Sequence, residues 1–163
     1  MNLVYLLLGS NLGNKTANLK KATDALRSFA GTIPVQSHLY ASPPWGFEHN
    51  EDFVNQAVLL ETELAPHELL AGIHDIESEM GRVREPEQAG YQARIIDIDI
   101  IYFNRDIIKT ASLEIPHPRI HLRRFVLVPL DEIAPDFLHP VLQKTQTQLL
   151  KECSDISEVT LIR

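Results

Sequence analysis

Arg94-Ile95-Ile96-Asp97-Ile98-Asp99-Ile100-Ile101-Tyr102-Phe103 is apolar and β-branched enough for a strand inside a sheet, yet it carries two carboxylates. Side chains on a strand alternate between faces, so Asp97 and Asp99 share one face with their Cα atoms about 7 Å apart. Two anions held there lose hydration and repel each other unless something compensates. A hard divalent cation such as magnesium answers both problems, because its ligands are oxygens. The competing reading puts the pair at a sheet end, solvated or bridged by an arginine.

Downstream of this strand, Asn104-Arg105-Asp106 predicts a turn into a hairpin with Ile107-Ile108. Pro116-His117-Pro118 forms a connection to a helix starting near His121, which Pro129 should limit. The tail reads as a helix over 145–151 and a short strand over 159–162. Upstream lies a polar loop over 82–93, preceded by a helix that begins at Pro66. That helix buries Leu69, Leu70, Ile73, Ile76 and Met80 and ends at Gly81. Residues 53–63 read as a strand, and Ser42-Pro43-Pro44-Trp45-Gly46-Phe47 as a loop, since paired prolines sustain neither helix nor ladder. Residues 32–40 form another strand. Leu19, Ala22, Leu26 and Phe29 repeat with helical spacing and stop at Gly31. Residues 3–8 make the first strand, followed by the turn Gly9-Ser10-Asn11-Leu12-Gly13.

The resulting order, β-α-β-β-α-β, predicts an α+β fold: a ferredoxin-like sandwich with helices on one face of an antiparallel sheet, plus C-terminal additions. The other face is then open for a cleft roofed by loops. The 163 residues suit a single domain spanning 1–163. The net charge of 15 − 22 = −7 argues against a general nucleic-acid-binding surface. One cysteine, Cys153, excludes an intramolecular disulfide and fits a reducing, cytoplasmic setting. Residues 3–8 follow no basic segment and read as a strand, not a signal peptide, and no apolar run reaches membrane-spanning length.

Positive charge gathers around the aspartates. Arg82, Arg84 and Arg94 precede them, and Arg119, Arg123 and Arg124 follow His117. In an acidic chain this points to a bound anion as well as a cation, most economically a magnesium triphosphate. The alternative pairs these arginines with surface carboxylates such as Asp75, Glu77 and Glu79. Trp45, Phe47, Phe53 and Phe125 lie at loops or strand ends, with Asn55 on the same strand face as Phe53. Such rings can sandwich a planar heterocycle while Asn55 reads its polar edge, or Phe53 and Phe125 can be core residues. The segment from Gly9 to Thr16 imitates a P-loop, but Asn14 stands where glycine must precede the lysine, so Asn14 is expected to cap the first helix instead. His117 and His121 have no nearby partner in sequence for zinc.

These stretches resemble the hydroxymethyldihydropterin pyrophosphokinase family of folate biosynthesis. The matching segments are Leu7-Leu8-Gly9-Ser10-Asn11-Leu12-Gly13, residues 40–44, Phe53-Val54-Asn55-Gln56-Ala57-Val58, Ile76-Glu77 with Gly81-Arg82-Val83-Arg84, residues 94–99, and Pro116-His117 through Arg123 to Pro129, all in family order. The resemblance implies transfer of pyrophosphate from ATP to 6-hydroxymethyl-7,8-dihydropterin, leaving AMP. It implies that Asp97 and Asp99 hold two Mg2+ ions, one bridging the α- and β-phosphates and the other the β- and γ-phosphates. Arg84, Arg94, His117 and Arg123 would contact the triphosphate, Arg84 from a mobile loop, and Arg84 and Arg94 would join the two aspartates as catalytic residues. Glu77 and Ile100 would line the nucleotide side. The pterin would lie between Phe53 and Phe125, with Asn55 and the segment Ser42, Pro43, Pro44 and Trp45 at its edge. No nucleic acid, membrane or obligate protein partner is implied. The chain departs from the family where the usual Gly-Pro-Arg reads Gln92-Ala93-Arg94, where Tyr91 stands for a loop aromatic, and where Phe53 replaces a common tyrosine. Two competing functions are a non-catalytic ferredoxin-like module for a ligand or RNA, and a kinase moving only the γ-phosphate.

Overall fold

Leu6 and Leu8 point to one side of the first strand while Tyr5 and Leu7 point to the other, and this alternation sets up two separate cores. The structure is a computed structural model that describes residues 1–44, 51–81 and 95–163. In chain order the elements are β1 (Asn2–Ser10), α1 (Lys15–Phe29), β2 (Gly31–Gln36), β3 (Leu39–Ser42), β4 (Phe53–Thr62) and α2 (Pro66–Glu79). They continue with β5 (Asp97–Phe103), β6 (Ile108–Lys109), β7 (Glu114–Ile115), a short 3-10 turn (Ile120–Leu122), α3 (Arg124–Ile133), α4 (Gln146–Glu152) and β8 (Thr160–Ile162). Among the described residues the main sheet is six-stranded, in the order β5-β1-β4-β3-β8 with β2 also on β4, and every pairing is antiparallel.

On the first face, Leu19, Ala22 and Leu26 of α1 and Leu69, Ile73 and Ile76 of α2 pack on Val4, Leu6, Leu8, Val58, Leu60, Ile98 and Ile100. Each fully buried aliphatic side chain contributes about 2 kcal/mol, so this layer carries most of the fold's stability. Asn14 caps α1 as expected, its Oδ1 accepting from the Ala17 N–H at 3.1 Å. Lys15, the lysine of the false P-loop, donates to the Asp52 carbonyl at 2.9 Å instead of facing a phosphate cradle.

The second face corrects the expectation of helices on one side only. Val126, Leu127 and Leu130 of α3 and Leu149 of α4 cover Leu7, Ala57, Ile101 and Tyr102. A β-bulge makes this possible: Tyr5 pairs with Tyr102 but Leu6 pairs with Ile100, so Ile101 is the extra residue and both Ile101 and Tyr102 join the second core. Tyr40 and the His38 N–H donate to Glu132, at 2.5 Å and 3.1 Å, and so tie the end of α3 to the start of β3.

Four boundaries differ from the sequence reading. Gly9 and Ser10 remain in β1 instead of turning away. The expected strand over 32–40 divides into β2 and β3, because the Ser37 hydroxyl takes the Ala57 N–H (3.0 Å) and donates to the His38 carbonyl (2.7 Å), interrupting the ladder. Asn104 does not lead β5 into a hairpin. It adopts a left-handed φ of 52° and exchanges hydrogen bonds with Leu3, while β6 pairs with β7. Pro129 sits inside α3 without ending it, since the buried face formed with Val126, Leu127 and Leu130 outweighs one missing helical hydrogen bond.

The first turn of α3 lacks a side-chain cap of its own. Asp155 supplies one from the tail, its Oδ2 accepting from the Arg124 N–H at 3.1 Å while its Oδ1 accepts from the Ser157 N–H and hydroxyl. Burial works against the charged carboxylate, but these hydrogen bonds and the Arg124 cation outweigh it and lower its pKa. A carboxylate depressed in the folded state stabilises the fold above its unfolded pKa, and that contribution disappears as the pH falls through the folded value. Asp155→Ala should therefore cost about 1 kcal/mol at pH 7. In thermal melts the gap to wild type should close below roughly pH 4; a gap independent of pH would mean that packing, not the carboxylate, is lost.

Candidate active site

Four strands bring one residue each into a row on the second face: Asp97 on β5 opposes Gly9 on β1, Gly9 opposes Asn55 on β4, and Asn55 opposes Tyr40 on β3. Neighbouring strands lie about 4.8 Å apart, so Asp97 and Asn55 stand roughly 10 Å from each other across a position with no side chain. The resulting trough is the floor of a cavity of about 500 Å3. Its walls are Leu7, Ser42, Pro43, Phe53, Asp99, Arg123 and Phe125, in addition to Gly9, Asn55 and Asp97. Asn55 and Ser42 are each 2% exposed, and the Asn55 amide nitrogen donates to the Ser42 hydroxyl at 2.8 Å.

A second and larger cavity, about 900 Å3, lies around the outer edge of β5 and is bounded by α2 and the β6–β7 turn. Leu70, His74 and Glu77 come from α2, Ser112, Leu113 and Glu114 from the turn, and His117 and Pro118 from the connection that follows. Asp97, Asp99 and Arg123 line both cavities. The two spaces therefore meet at a carboxylate pair and a guanidinium.

The positions of these shared groups are held by specific contacts. Glu77, 2% exposed, accepts the Ile98 N–H at 3.1 Å, so a buried carboxylate pins β5 at the residue between the two aspartates. The His117 N–H donates to the Ile101 carbonyl at 3.1 Å, and its ring Nδ1 accepts from the Arg119 N–H at 3.4 Å. Burial lowers the His117 pKa; the Asp97 anion opposes this, Arg119 adds to it and Glu114 opposes it. The lowered pKa favours the neutral ring, and an accepting Nδ1 leaves Nε2 to carry its proton. Arg123 is only 3% exposed, its Cζ lies 5.8 Å from the Phe125 ring centroid, and burial pushes its pKa down to about 10, which leaves it cationic at neutral pH.

Ser42, Pro43, Phe53, Asn55, Phe125, Asp97, Asp99 and Arg123 thus meet around the first cavity, and Glu77, Ile100 and His117 around the second. Pro44 is not among the residues lining either one. Trp45, Phe47, Arg82, Arg84, Tyr91 and Arg94 lie outside the described residues. Arg124 lines neither cavity, and its N–H and its charge act on Asp155 instead. The sequence reading took Leu70 for a core residue and did not single out His74, although both lie on one helical stripe with Glu77. Ser112 and Leu113 were hidden by the wrong hairpin partner for Ile107-Ile108.

Among the described residues no group of three or more histidine, cysteine or acidic side chains is placed to hold a metal. Two carboxylates still suit magnesium, which keeps several waters and commonly completes its shell with substrate phosphate oxygens.

A partly aromatic cavity that shares two carboxylates and a buried arginine with a larger one suits an enzyme that transfers a group between two small molecules. The family model described as 7,8-dihydro-6-hydroxymethylpterin-pyrophosphokinase matches residues 5–135, and the chain belongs to that family. The 2-amino-4-hydroxy-6-hydroxymethyldihydropteridine pyrophosphokinase of Porphyromonas gingivalis is 40% identical over 141 residues, covering 86% of this chain and 95% of that one. The folic acid synthesis protein FOL1 of Dictyostelium discoideum is 45% identical over 148 residues, which is 91% of this chain but 22% of that protein. A solved HPPK-DHPS from Plasmodium falciparum, wild type, superposes with a TM-score of 0.73 at 20% identity, covering 93% of this chain and 43% of that one. An HPPK-DHPS in complex with substrates gives 0.71 at 16% identity, covering 92% and 43%. The chain thus spans less than half of these longer proteins, and the structural likeness speaks for the fold. No helix among the described residues is long and apolar enough to cross a membrane.

Proposed function

We propose that the first cavity holds the pterin, the second holds ATP, and the residues common to both carry the reaction. The chain is an ATP-dependent pyrophosphokinase of folate synthesis, moving pyrophosphate from ATP to 6-hydroxymethyl-7,8-dihydropterin. The observation that carries this siting is the shared wall: Asp97, Asp99 and Arg123 face both spaces, so a triphosphate in one and a hydroxymethyl group in the other meet there.

The pterin hydroxyl oxygen forms a bond to the β-phosphorus, the bond from that phosphorus to the α-phosphate oxygen breaks, AMP leaves, and the hydroxyl proton is released. Negative charge around the β-phosphorus opposes this attack, so charge neutralisation and alignment dominate the catalysis. Asp97 and Asp99 would hold Mg2+, two ions in this reading, and the metal supplies charge neutralisation along the triphosphate. Arg123 adds a buried cation beside the phosphates, and His117 offers its Nε2–H as a neutral donor. Glu77 keeps β5 in register beneath them. Ser42 and Pro43 border the pterin edge in this siting, whereas Pro44 lines neither cavity. The family resemblance would add Arg84 and Arg94 to the phosphate contacts and Trp45 to the pterin edge, all three outside the described residues. Phe53 and Phe125 flank the ring, and Ile100 borders the nucleotide.

The strand order β5-β1-β4-β2 supports the finer description of the core as a ferredoxin-like sandwich formed by one domain. The single cysteine and the small polar substrates support a cytoplasmic location. Incubation with ATP, Mg2+ and the hydroxymethyldihydropterin should yield AMP and the pterin diphosphate in equal amounts. ADP as the nucleotide product would mean γ-phosphoryl transfer, and pterin binding without turnover would mean a binding module.

A further inference from the structure

We infer that Asp155, in the C-terminal tail, is a positioning residue for the transfer reaction: it ties the first turn of α3 to β3 and so sets the spacing between two walls of the first cavity. This rests on the siting of the pterin in that cavity and adds what keeps the walls apart by the right distance.

The two walls belong to elements far apart in the chain. Ser42 ends β3, while Arg123 and Phe125 stand on either side of Arg124 at the start of α3. The far end of α3 is fastened to β3 directly, since the Tyr40 hydroxyl and the His38 N–H donate to Glu132. The near end, which borders the cavity, reaches β3 by way of the tail.

After α4 the chain runs without regular secondary structure from Cys153 to Val159. Cys153, Asp155, Ser157 and Val159 are half-buried, whereas Ser154, Ile156 and Glu158 are exposed. That two-residue alternation marks an extended segment with one edge resting on the protein. Cys153 packs on the second core and Ile162 on the first, so the tail passes from one face of the sheet to the other around its β8 edge. Between these anchors the Asp155 carboxylate binds in two directions. Its Oδ2 accepts from the Arg124 N–H at 3.1 Å, and its Oδ1 accepts from the Ser157 N–H at 2.9 Å and hydroxyl at 2.6 Å. Only Glu158 and Val159 separate Ser157 from β8, which pairs Thr160 with Ala41, the neighbour of Ser42. The contacts therefore close a circuit: from β3 to Glu132, along α3 to Arg124, through Asp155 to Ser157, and by β8 back to β3.

A helix whose first N–H groups lose their acceptor frays from that end. Arg123 and Phe125 would then hold their wall positions for only part of the time, and apparent affinity falls by that fraction. Asp97 and Asp99 lie on β5, at the opposite edge of the sheet, and keep their places.

Calorimetry with 6-hydroxymethylpterin and steady-state AMP release, both well below the melting temperature, test the role of Asp155. Asp155→Ala should weaken pterin binding and raise the pterin KM about fivefold, with kcat within about twofold of wild type. Asp155→Asn should restore both, because its carbonyl can cap Arg124 while its NH2 donates to the Ser157 hydroxyl. Thr145→Ala removes the cap of α4, a lesion of the same kind, and should leave pterin affinity at the wild-type value. Should Asp155→Ala fail to fold, Ser157→Ala, which loses one bond to the same carboxylate, should show the same selective loss at about twofold. An unchanged pterin affinity in these tail variants, an equal loss in Thr145→Ala, or a loss confined to kcat overturns the inference. Phe125→Ala tests the siting separately. If it leaves pterin affinity intact, the pterin does not occupy this cavity and the role of Asp155 falls with it; a defect in Phe125→Ala beside an unaffected Asp155→Ala removes the role of the tail alone.

Discussion

Asp97→Asn and Asp99→Asn should each lower pyrophosphoryl transfer by at least about a thousandfold while the protein stays folded. A thousandfold corresponds to about 4 kcal/mol of transition-state stabilisation. That is a reasonable loss when one of the two carboxylates that line both cavities becomes a neutral amide. The effect on stability should be small, since the amide keeps the size and shape of the carboxylate it replaces. Ile98, between them, keeps its own hydrogen bond to Glu77 in either variant, so β5 should hold its register. AMP release followed at saturating Mg2+, together with thermal melts, checks both halves. Rates close to wild type at saturating Mg2+ would remove the carboxylates from the chemistry, and a melting point lowered by several degrees would make them structural.

Sequence pattern exposed the parts of this molecule whose physics is local. The alternation around Asp97 and Asp99, the cap at Asn14, the helical stripe from Leu69 to Ile76 and the tilt toward β-α-β-β-α-β all depend on neighbours within a few residues. What sequence hid was set by distant partners. Ser37 interrupts the second strand only because Ala57 and Gln56 come across to it. Asn104 turns back because Leu3 lies beside it, which leaves β6 to find β7. Pro129 stays helical because the sheet buries it. The site shows the same division: Asp97, Asp99, Asn55 and Arg123 stood out as chemical types in unusual places, whereas Gly9 and His74 acquire meaning only when β4 and the β6–β7 turn are brought beside them. A glycine inside an apolar strand is itself a signal of close approach, available from the sequence once the strand is extended through Ser10.

Arg123→Ala should impair both substrates at once, in contrast to any residue that lines a single cavity. Its guanidinium is buried, borders both spaces and packs over Phe125, so its removal takes a cation from the phosphates and support from an aromatic wall. Truncating a buried charge that pairs with a ligand costs on the order of 3 kcal/mol, or about a hundredfold in kcat/KM for ATP. Pterin affinity should fall by less, about threefold to tenfold, since a cation–aromatic contact contributes roughly 1 kcal/mol. Arg123→Lys should recover only part of either loss: an ammonium in this position is more easily neutralised by burial and cannot lie flat over the Phe125 ring or offer a paired fork to phosphate oxygens. Separate calorimetric titrations with a non-hydrolysable ATP analogue and with 6-hydroxymethylpterin distinguish the contributions. Loss of nucleotide affinity with pterin affinity unchanged would mean that Arg123 serves the triphosphate alone and that the two cavities are joined only by the aspartates. Loss of both, with Phe125→Ala reproducing only the pterin defect, is the outcome that a guanidinium set between two substrates requires.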